Sequence, residues 1–314
     1  MRFPDNQWAL ILGGSSGFGL AAARKLAVHG LNLAVVHRDR RGAMQRIEAH
    51  FEEIRETGVR LVSFNSDALN AETRAEMLAA LERELDADGR VRLLLHSIAL
   101  GNLKPLTASS GTGRRDETLG RLALELGMSS TRLEGVVDGL FEEGCDELHA
   151  LASPPDYGAR LIDEEDLAAT IYNMGTSIFS WVQELLDTGL FAPDARVLGL
   201  TSEGNTQAWR AYSAVSAAKV AMESLSRSMA LELAPHGLRS NIIQAGITET
   251  AASALIPGID HLKAQARLRN PFGRLTKPED VAGMIFLMCT DEAAWVNGAI
   301  VRVDGGEHIS GGGA

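Results

Sequence analysis

Tyr212 and Lys219 are the pair in this chain best suited to moving a proton. A phenol serves as an acid near neutral pH when a neighbouring ammonium stabilises its phenolate and lowers its pKa. Seven positions separate the two, close to two turns of α-helix, so on one helix they share a face. Such pairs also arise by chance. Tyr157 and Tyr172, the other two tyrosines, have no following lysine at a useful spacing.

A second group of residues is suited to holding phosphate. Gly13-Gly14-Ser15-Ser16-Gly17-Phe18-Gly19 follows an apolar run and precedes an Ala-rich helical stretch. Glycines allow positive φ and close approach of the backbone to a pyrophosphate, and a helix start offers free N–H groups and a positive dipole end. A tight turn that binds nothing would need the same glycines, but the position between strand and helix favours dinucleotide binding. The next apolar run ends at His37-Arg38-Asp39. An acid at that tip would take a ribose 2′-hydroxyl; a cation there pairs with a 2′-phosphate. His37 and Arg38 thus favour NADP(H) over NAD(H), with Asp39 as the residue that could reverse the preference. Asp67, followed by Ala68, could accept from the adenine amine or be an exposed turn residue. Ser97, Ile98 and Ala99 would lie beside the cofactor ribose, whereas His96 taken alone reads as a structural histidine.

These residues need a scaffold that gathers them at one edge. Apolar runs at Trp8 to Leu12, Leu31 to Val36, Val59 to Phe64 and Val91 to Leu95 alternate with helical patterns at Leu20 to His29, Ala43 to Glu56 and Ala71 to Leu85. That rhythm predicts an α/β fold: a single Rossmann-type doubly wound parallel sheet. It breaks at about 104–163. There a Gly/Ser-rich loop (Ser109 to Arg115), two amphipathic helices (Glu117 to Leu126, Thr131 to Phe141) and a Pro-containing turn (Ser153 to Tyr157) read as a helical insertion within one domain spanning 1–314. The rhythm resumes with a helix from Glu164 to Asp187. A strand from Ala195 to Leu200, a helix from Tyr212 to Ala234 and a strand from Leu238 to Ile243 follow. A helix from Pro278 to Cys289 and a strand from Ala299 to Val303 close the pattern. Tyr212 and Lys219 then follow the fifth strand, where the nicotinamide end of a cofactor would lie.

Composition narrows the partners. The chain has 314 residues, 45% of them hydrophobic and 23% charged, with a net charge of −11. An acidic chain is a poor nucleic-acid binder. No apolar run approaches the ~18 residues of a membrane span. Met1 to Gln7 lacks a signal-peptide pattern, and Cys145 and Cys289 match no metal or redox spacing. A cytoplasmic protein with no metal site, no nucleic-acid partner and no membrane partner is the expectation.

Together these stretches resemble the short-chain dehydrogenase/reductase superfamily over residues 8–306, apart from the insertion. The resembling pieces are Gly13-x3-Gly17-x-Gly19, Asn241, Pro278-Glu279-Asp280-Val281 and Val303-Asp304-Gly305-Gly306. Most members place the lysine four positions after the tyrosine, where this chain has Ser216. The spacing Tyr212-x6-Lys219 is instead similar to the divergent branch, the enoyl-acyl-carrier-protein reductases. His96-Ser97-Ile98-Ala99, Arg239-Ser240-Asn241 and Ala245-Gly246 are similar to stretches of that branch, and Thr250 to Ala254 to the start of its substrate-binding loop.

The resemblance implies hydride transfer to the β-carbon of a trans-2-enoyl thioester, with Tyr212 donating to the thioester oxygen as an enolate develops. It implies that Lys219 holds the cofactor ribose, that Gly246, Thr248 and Thr250 lie on the cofactor, and that the protein is a homo-oligomer, tetramer or dimer. The acyl thioester could be carried by acyl carrier protein. Several residues depart from that branch. Its second aromatic is replaced by Ser202, which also stands where ordinary carbonyl reductases have a catalytic serine. Asn173 could match their helix asparagine, the glycine turn is theirs, and Ile247 replaces a usual proline. Carbonyl reduction or alcohol oxidation is the alternative expectation, and a non-catalytic NADP-binding sensor a third. The insertion is expected to be a lid over the acyl chain or a surface decoration or oligomer contact.

Overall fold

The computed structural model describes residues 2–108 and 113–311. Seven strands form one parallel sheet in the order β3-β2-β1-β4-β5-β6-β7. They are β1 (Gln7–Leu12), β2 (Asn32–His37), β3 (Leu61–Asn65), β4 (Arg90–His96), β5 (Phe191–Ser202), β6 (Arg239–Ala245) and β7 (Ile300–Val303). The expected doubly wound Rossmann sheet is what forms.

Strand β1 shows why. Trp8, Leu10 and Leu12 enter one core layer, while Ala9 and Ile11 enter the other. A strand apolar on both faces is stable only between two layers of helices. Helices α1 (Gly17–Val28), α2 (Met44–Arg55) and α10 (Pro278–Met288) supply the side of Ala9 and Ile11. The side of Trp8 and Leu10 is covered by α3 (Ala71–Glu84), α7 (Ser177–Asp187) and α8 (Ser213–Glu232).

Between β4 and β5 the chain forms α4 (Gly113–Glu125), α5 (Ser130–Glu142) and α6 (Glu164–Ile171). Part of the expected loop, 109–112, lies outside the described residues; Gly113 to Arg115 already belong to α4. The insertion has its own small core of Leu119, Ala123, Leu133, Val137 and Ala152.

Two helix assignments differ from expectation. Glu164 to Asp187 is α6 and α7 joined by a π turn at Tyr172–Thr176. The extra residue of that turn brings Gly175 so close to α8 that a Cβ there would fall 2.5 Å from the Ala218 carbonyl oxygen. Tyr212 is not in α8 but caps it, with φ −111°; its carbonyl still accepts from Ser216 N at 2.8 Å. The sequence pattern also missed α9 (Ile259–Arg269), which follows the expected substrate loop.

Candidate active site

The chain reverses direction across the sheet between β1 and β4, and ligands bind at the carboxyl edge of such a switch point. An open cleft of about 1050 Å³ lies there, lined by Gly13, Ser15, Ser16, Gly17, Phe18, His37, Arg38, Asp67, Ala68, Ser97, Ile98, Ala99 and Thr250 among others. The turn that floors it requires glycine. Gly13 has φ 86°, and a Cβ on it would sit 2.6 Å from the Ser97 carbonyl oxygen; a Cβ on Gly19 would sit 2.2 Å from the Gly13 carbonyl oxygen. Gly19 therefore shapes the turn from beneath. The start of α1 carries no acid in its first turn, and the Ser16 side chain makes no capping bond there. Its N–H groups and dipole end are left facing the cleft, the arrangement that takes a phosphate. These features fit a dinucleotide. Gly19→Ala is expected to weaken nicotinamide-cofactor affinity at least a hundredfold while leaving the sheet folded, which fluorescence titration and circular dichroism would check.

At the tip of β2 the side chains of His37 and Arg38 are placed differently. The His37 ring is buried edge-on against Phe51, and its Nδ1 lies 3.0 Å from an Asp39 carboxylate oxygen. Arg38 is exposed and donates to Asp67 at 2.8 Å. Of the two, Arg38 is the exposed one on the cleft. Asp67 also accepts from Leu69 N at 3.0 Å, so its carboxylate is held on two sides.

A second cleft, of about 980 Å³, adjoins the first and shares Phe18, Ser97, Ile98, Ala99, Thr250 and Ala252 with it. Its walls are mostly apolar, with Leu103, Met174 and Val215, Trp209 beside Tyr212, and Leu255, Ile256 and Ile259 opposite in the chain. Gly246 and Thr248 line this cleft and not the first. Its polar residues include Ser202, Tyr212 and Lys219. Ser202 ends β5, and its Oγ is 3.3 Å from the Tyr212 hydroxyl. The tyrosine ring packs against Trp209, centroids 5.2 Å apart, and over Gly204, where a Cβ would lie 2.5 Å from its ring. Gly204 is a requirement the sequence did not announce.

Burial sets the proton chemistry. It pushes the Tyr212 phenol above its ordinary value, with the Ser202 hydrogen bond acting in the opposite direction. Tyr212 therefore keeps its proton and can donate it. Burial pulls the Lys219 ammonium down to about 8, against the raising influence of the Glu223 carboxylate. Glu223, one turn further along α8, accepts from Thr201 at 2.5 Å and Asn205 at 2.7 Å. His96 is fully buried and lowered to about 3 by burial and then by the charge of Lys219. It stays neutral and bonds Ser177 Oγ at 2.9 Å, which makes it a structural group and not an acid. Asn173 sits in the π turn, donating to the Leu100 carbonyl at 3.3 Å. Thr250 and Ser253 cap each other's backbone N–H groups at 3.0 and 2.9 Å, holding Thr250 above the glycine turn.

One cluster escaped the sequence reading. Arg269 of α9 grips buried Glu203 through two bonds of 2.9 and 2.6 Å and reaches Glu307 at 3.3 Å. Burial first, and then Glu203 and Asp304, push the Glu307 carboxyl up to about 7, against its bond from Ile247 N and the charge of Arg269. This cluster ties the α9 wall to the loop after β5. Among the described residues no group of three or more His, Cys, Asp or Glu could hold a metal ion.

Family models agree with this geometry. The model described as enoyl-(acyl carrier protein) reductase matches residues 148–308, which is 161 of the 314, and that described as short chain dehydrogenase matches residues 7–112. The chain belongs to the short-chain dehydrogenase/reductase superfamily. One relative is the NADH-dependent enoyl-(acyl-carrier-protein) reductase FabI of Aquifex aeolicus, 39% identical over 100 residues, covering 32% of this chain and 37% of the relative. Another is the cis-4-hydroxycyclohexanecarboxylate dehydrogenase of Sinomonas cyclohexanicum, 34% identical over 119 residues, covering 38% and 45%. The chain thus matches less than half the length of either. The crystal structure of the Aquifex aeolicus enoyl reductase superposes with a TM-score of 0.70 at 22% identity, over 97% of each chain. At that identity the likeness speaks for the short-chain reductase fold alone. Among the described residues no helix is long and apolar enough to cross a membrane.

Proposed function

We propose that this short-chain reductase reduces trans-2-enoyl thioesters, with NADPH preferred over NADH. The observation that carries the reading is Tyr212 standing in the apolar cleft with its lysine seven positions on and Ser216 where the ordinary lysine would be. The glycine turn and the start of α1 would hold the pyrophosphate, Arg38 the 2′-phosphate, and Lys219 the nicotinamide ribose. The bound cofactor supplies the hydride.

The chain's own residues do the rest. The apolar walls take the acyl tail and exclude water from the reacting carbons. Tyr212 donates to the thioester oxygen, where negative charge gathers as the β-carbon is reduced, and this donation strengthens in the transition state. Exposed Phe179 and Val220 on α7 and α8 favour self-association, and the reading includes a cytoplasmic homo-oligomer.

One observation favours a second reading. Ser202 Oγ at 3.3 Å from the Tyr212 hydroxyl makes a pair of donors that could grip a ketone or alkoxide oxygen. The enzyme would then interconvert carbonyls and alcohols, as the name of the Sinomonas relative describes for that protein. The test is NADPH absorbance with purified protein on trans-2-enoyl and 3-ketoacyl thioesters. Turnover of the enoyl substrate is the expected result. Turnover of the ketoacyl substrate alone moves the assignment to carbonyl chemistry.

A further inference from the structure

The residue before Tyr212 is the only non-glycine among the described residues with positive φ. Ala211 is buried, with φ 62°, a left-handed conformation that a Cβ disfavours. A strained residue beside an active-site side chain persists only if its neighbours hold it. On one side it is held by α8. On the other is Arg210, which reaches out of the reductase core. Its Nη2 donates to the Thr107 carbonyl at 2.5 Å, and its guanidinium lies 5.1 Å over the ring of Tyr157. Thr107 and Tyr157 both belong to the insertion.

The insertion also grips the opposite wall. The two ring nitrogens of His261 lie 2.8 and 3.1 Å from the carbonyl oxygens of His149 and Ser153. Arg267 makes two bonds to Asp146, at 2.5 and 2.6 Å. Pro155 packs on Gly258, where a Cβ would fall 2.4 Å away. Along the chain, residues 149–155 touch the wall carrying Ile256 and Ile259, and Tyr157 touches the turn carrying Trp209 and Tyr212. None of the described residues from 104 to 163 lines the apolar cleft. The described part of the insertion is a strap outside the lining of the cleft.

We propose that Arg210 is a positioning residue that sets the Tyr212 hydroxyl by anchoring its turn to the Thr107 and Tyr157 ends of the strap. The inference rests on Tyr212 being the hydrogen-bond donor to substrate, whichever oxygen that is. Arg210 is exposed and touches neither cleft, so its loss should leave cofactor binding alone and act on turnover.

The experiment compares R210A, Y157A, Y157F and the double variant R210A/Y157A with the parent. It uses full-length protein, whichever thioester is turned over, and Tyr212→Phe alongside. Expected is a kcat loss of about tenfold in R210A, equivalent to about 1.4 kcal/mol, and a smaller loss in Y157A. The double variant should be no worse than R210A, with cofactor Kd unchanged throughout. Y157F keeps the ring and should stay within twofold of the parent. Parental kcat in R210A would overturn the inference. So would losses that multiply in the double variant, or a weakened cofactor Kd, because either means general loosening and not positioning. If Tyr212→Phe retains activity, the reading of the site itself fails. If Tyr212→Phe is dead and R210A is not impaired, only the role of Arg210 fails.

Discussion

Tyr212→Phe should lower kcat by two to three orders of magnitude with the fold and the cofactor affinity intact. The size follows from the job: removing one preorganised donor to a developing oxyanion costs about 10²–10³ in rate. The fold should survive because the ring keeps its packing on Trp209 and over Gly204. The lost hydroxyl has Ser202, at 3.3 Å, as its hydrogen-bond partner in the structure. A long bond of that kind contributes no more than about 1 kcal/mol to stability. Ser202→Ala then separates the two chemistries. On the enoyl reading Tyr212 is the donor on which the enolate oxygen depends, so enoyl turnover should fall only a few-fold. Ketone reduction uses both donors, so ketoacyl turnover should fall about a hundredfold. Steady-state NADPH oxidation on both thioesters, with cofactor titration by fluorescence, reads all of this. More than a tenth of parental activity in Tyr212→Phe would remove the tyrosine from the mechanism.

The parts of this molecule that were legible beforehand are those governed by local rules. Trp8 to Leu12 reads as a buried strand because both faces are apolar, and Gly13 to Gly19 reads as a phosphate turn because only glycine fits such backbone contacts. Tyr212 and Lys219 were legible as a pair because helical periodicity carries a fixed geometry, even though Tyr212 proved to be the cap of α8. What escaped depends on contacts distant in sequence. Glu203, Arg269 and Glu307 come together from β5's end, α9 and the C-terminal loop, and nothing in their spacing announces it. His37 and Arg38 both line the cleft as their place at a strand tip suggested, but that the His37 ring packs against Phe51 and beside Asp39 could not be read from the strand pattern. The π turn at Tyr172–Thr176 was invisible because its residues continue an ordinary helical pattern. Gly175 was the one hint, a glycine where a helix must pass close to another backbone. Helix α9 could have been found: Ile259, Leu262 and Ala266 repeat at helical spacing.

Lys219 should give the enzyme both its alkaline limit and a measurable instability. Burial lowers its ammonium to about 8 from the ordinary 10.5, opposed by Glu223. Below pH 8 the residue carries its charge in the folded enzyme, and on the proposed reading that charge holds the cofactor ribose. Reductive kcat/KM should therefore be flat below pH 8 and fall about tenfold per unit above it. The same shift fixes the sign for stability. The folded state holds this proton less tightly than the unfolded chain, so the buried charge is a full penalty below pH 8 and is relieved as pH rises from about 8 to 10.5. Two and a half units correspond to a penalty on the order of 3 kcal/mol. Lys219→Met removes it, partly offset because the buried Glu223 loses its cationic neighbour. The variant should be nearly inactive and bind cofactor poorly. Its stability relative to the parent should fall steadily between pH 8 and 10, as the parent sheds its penalty and the variant has none to shed. Urea titrations of both proteins at pH 7 and 9.5, beside a pH–rate profile of the parent, decide the matter. A rate profile that stays flat to pH 9.5, together with a stability difference that does not change with pH, would mean that Lys219 is not the group that titrates.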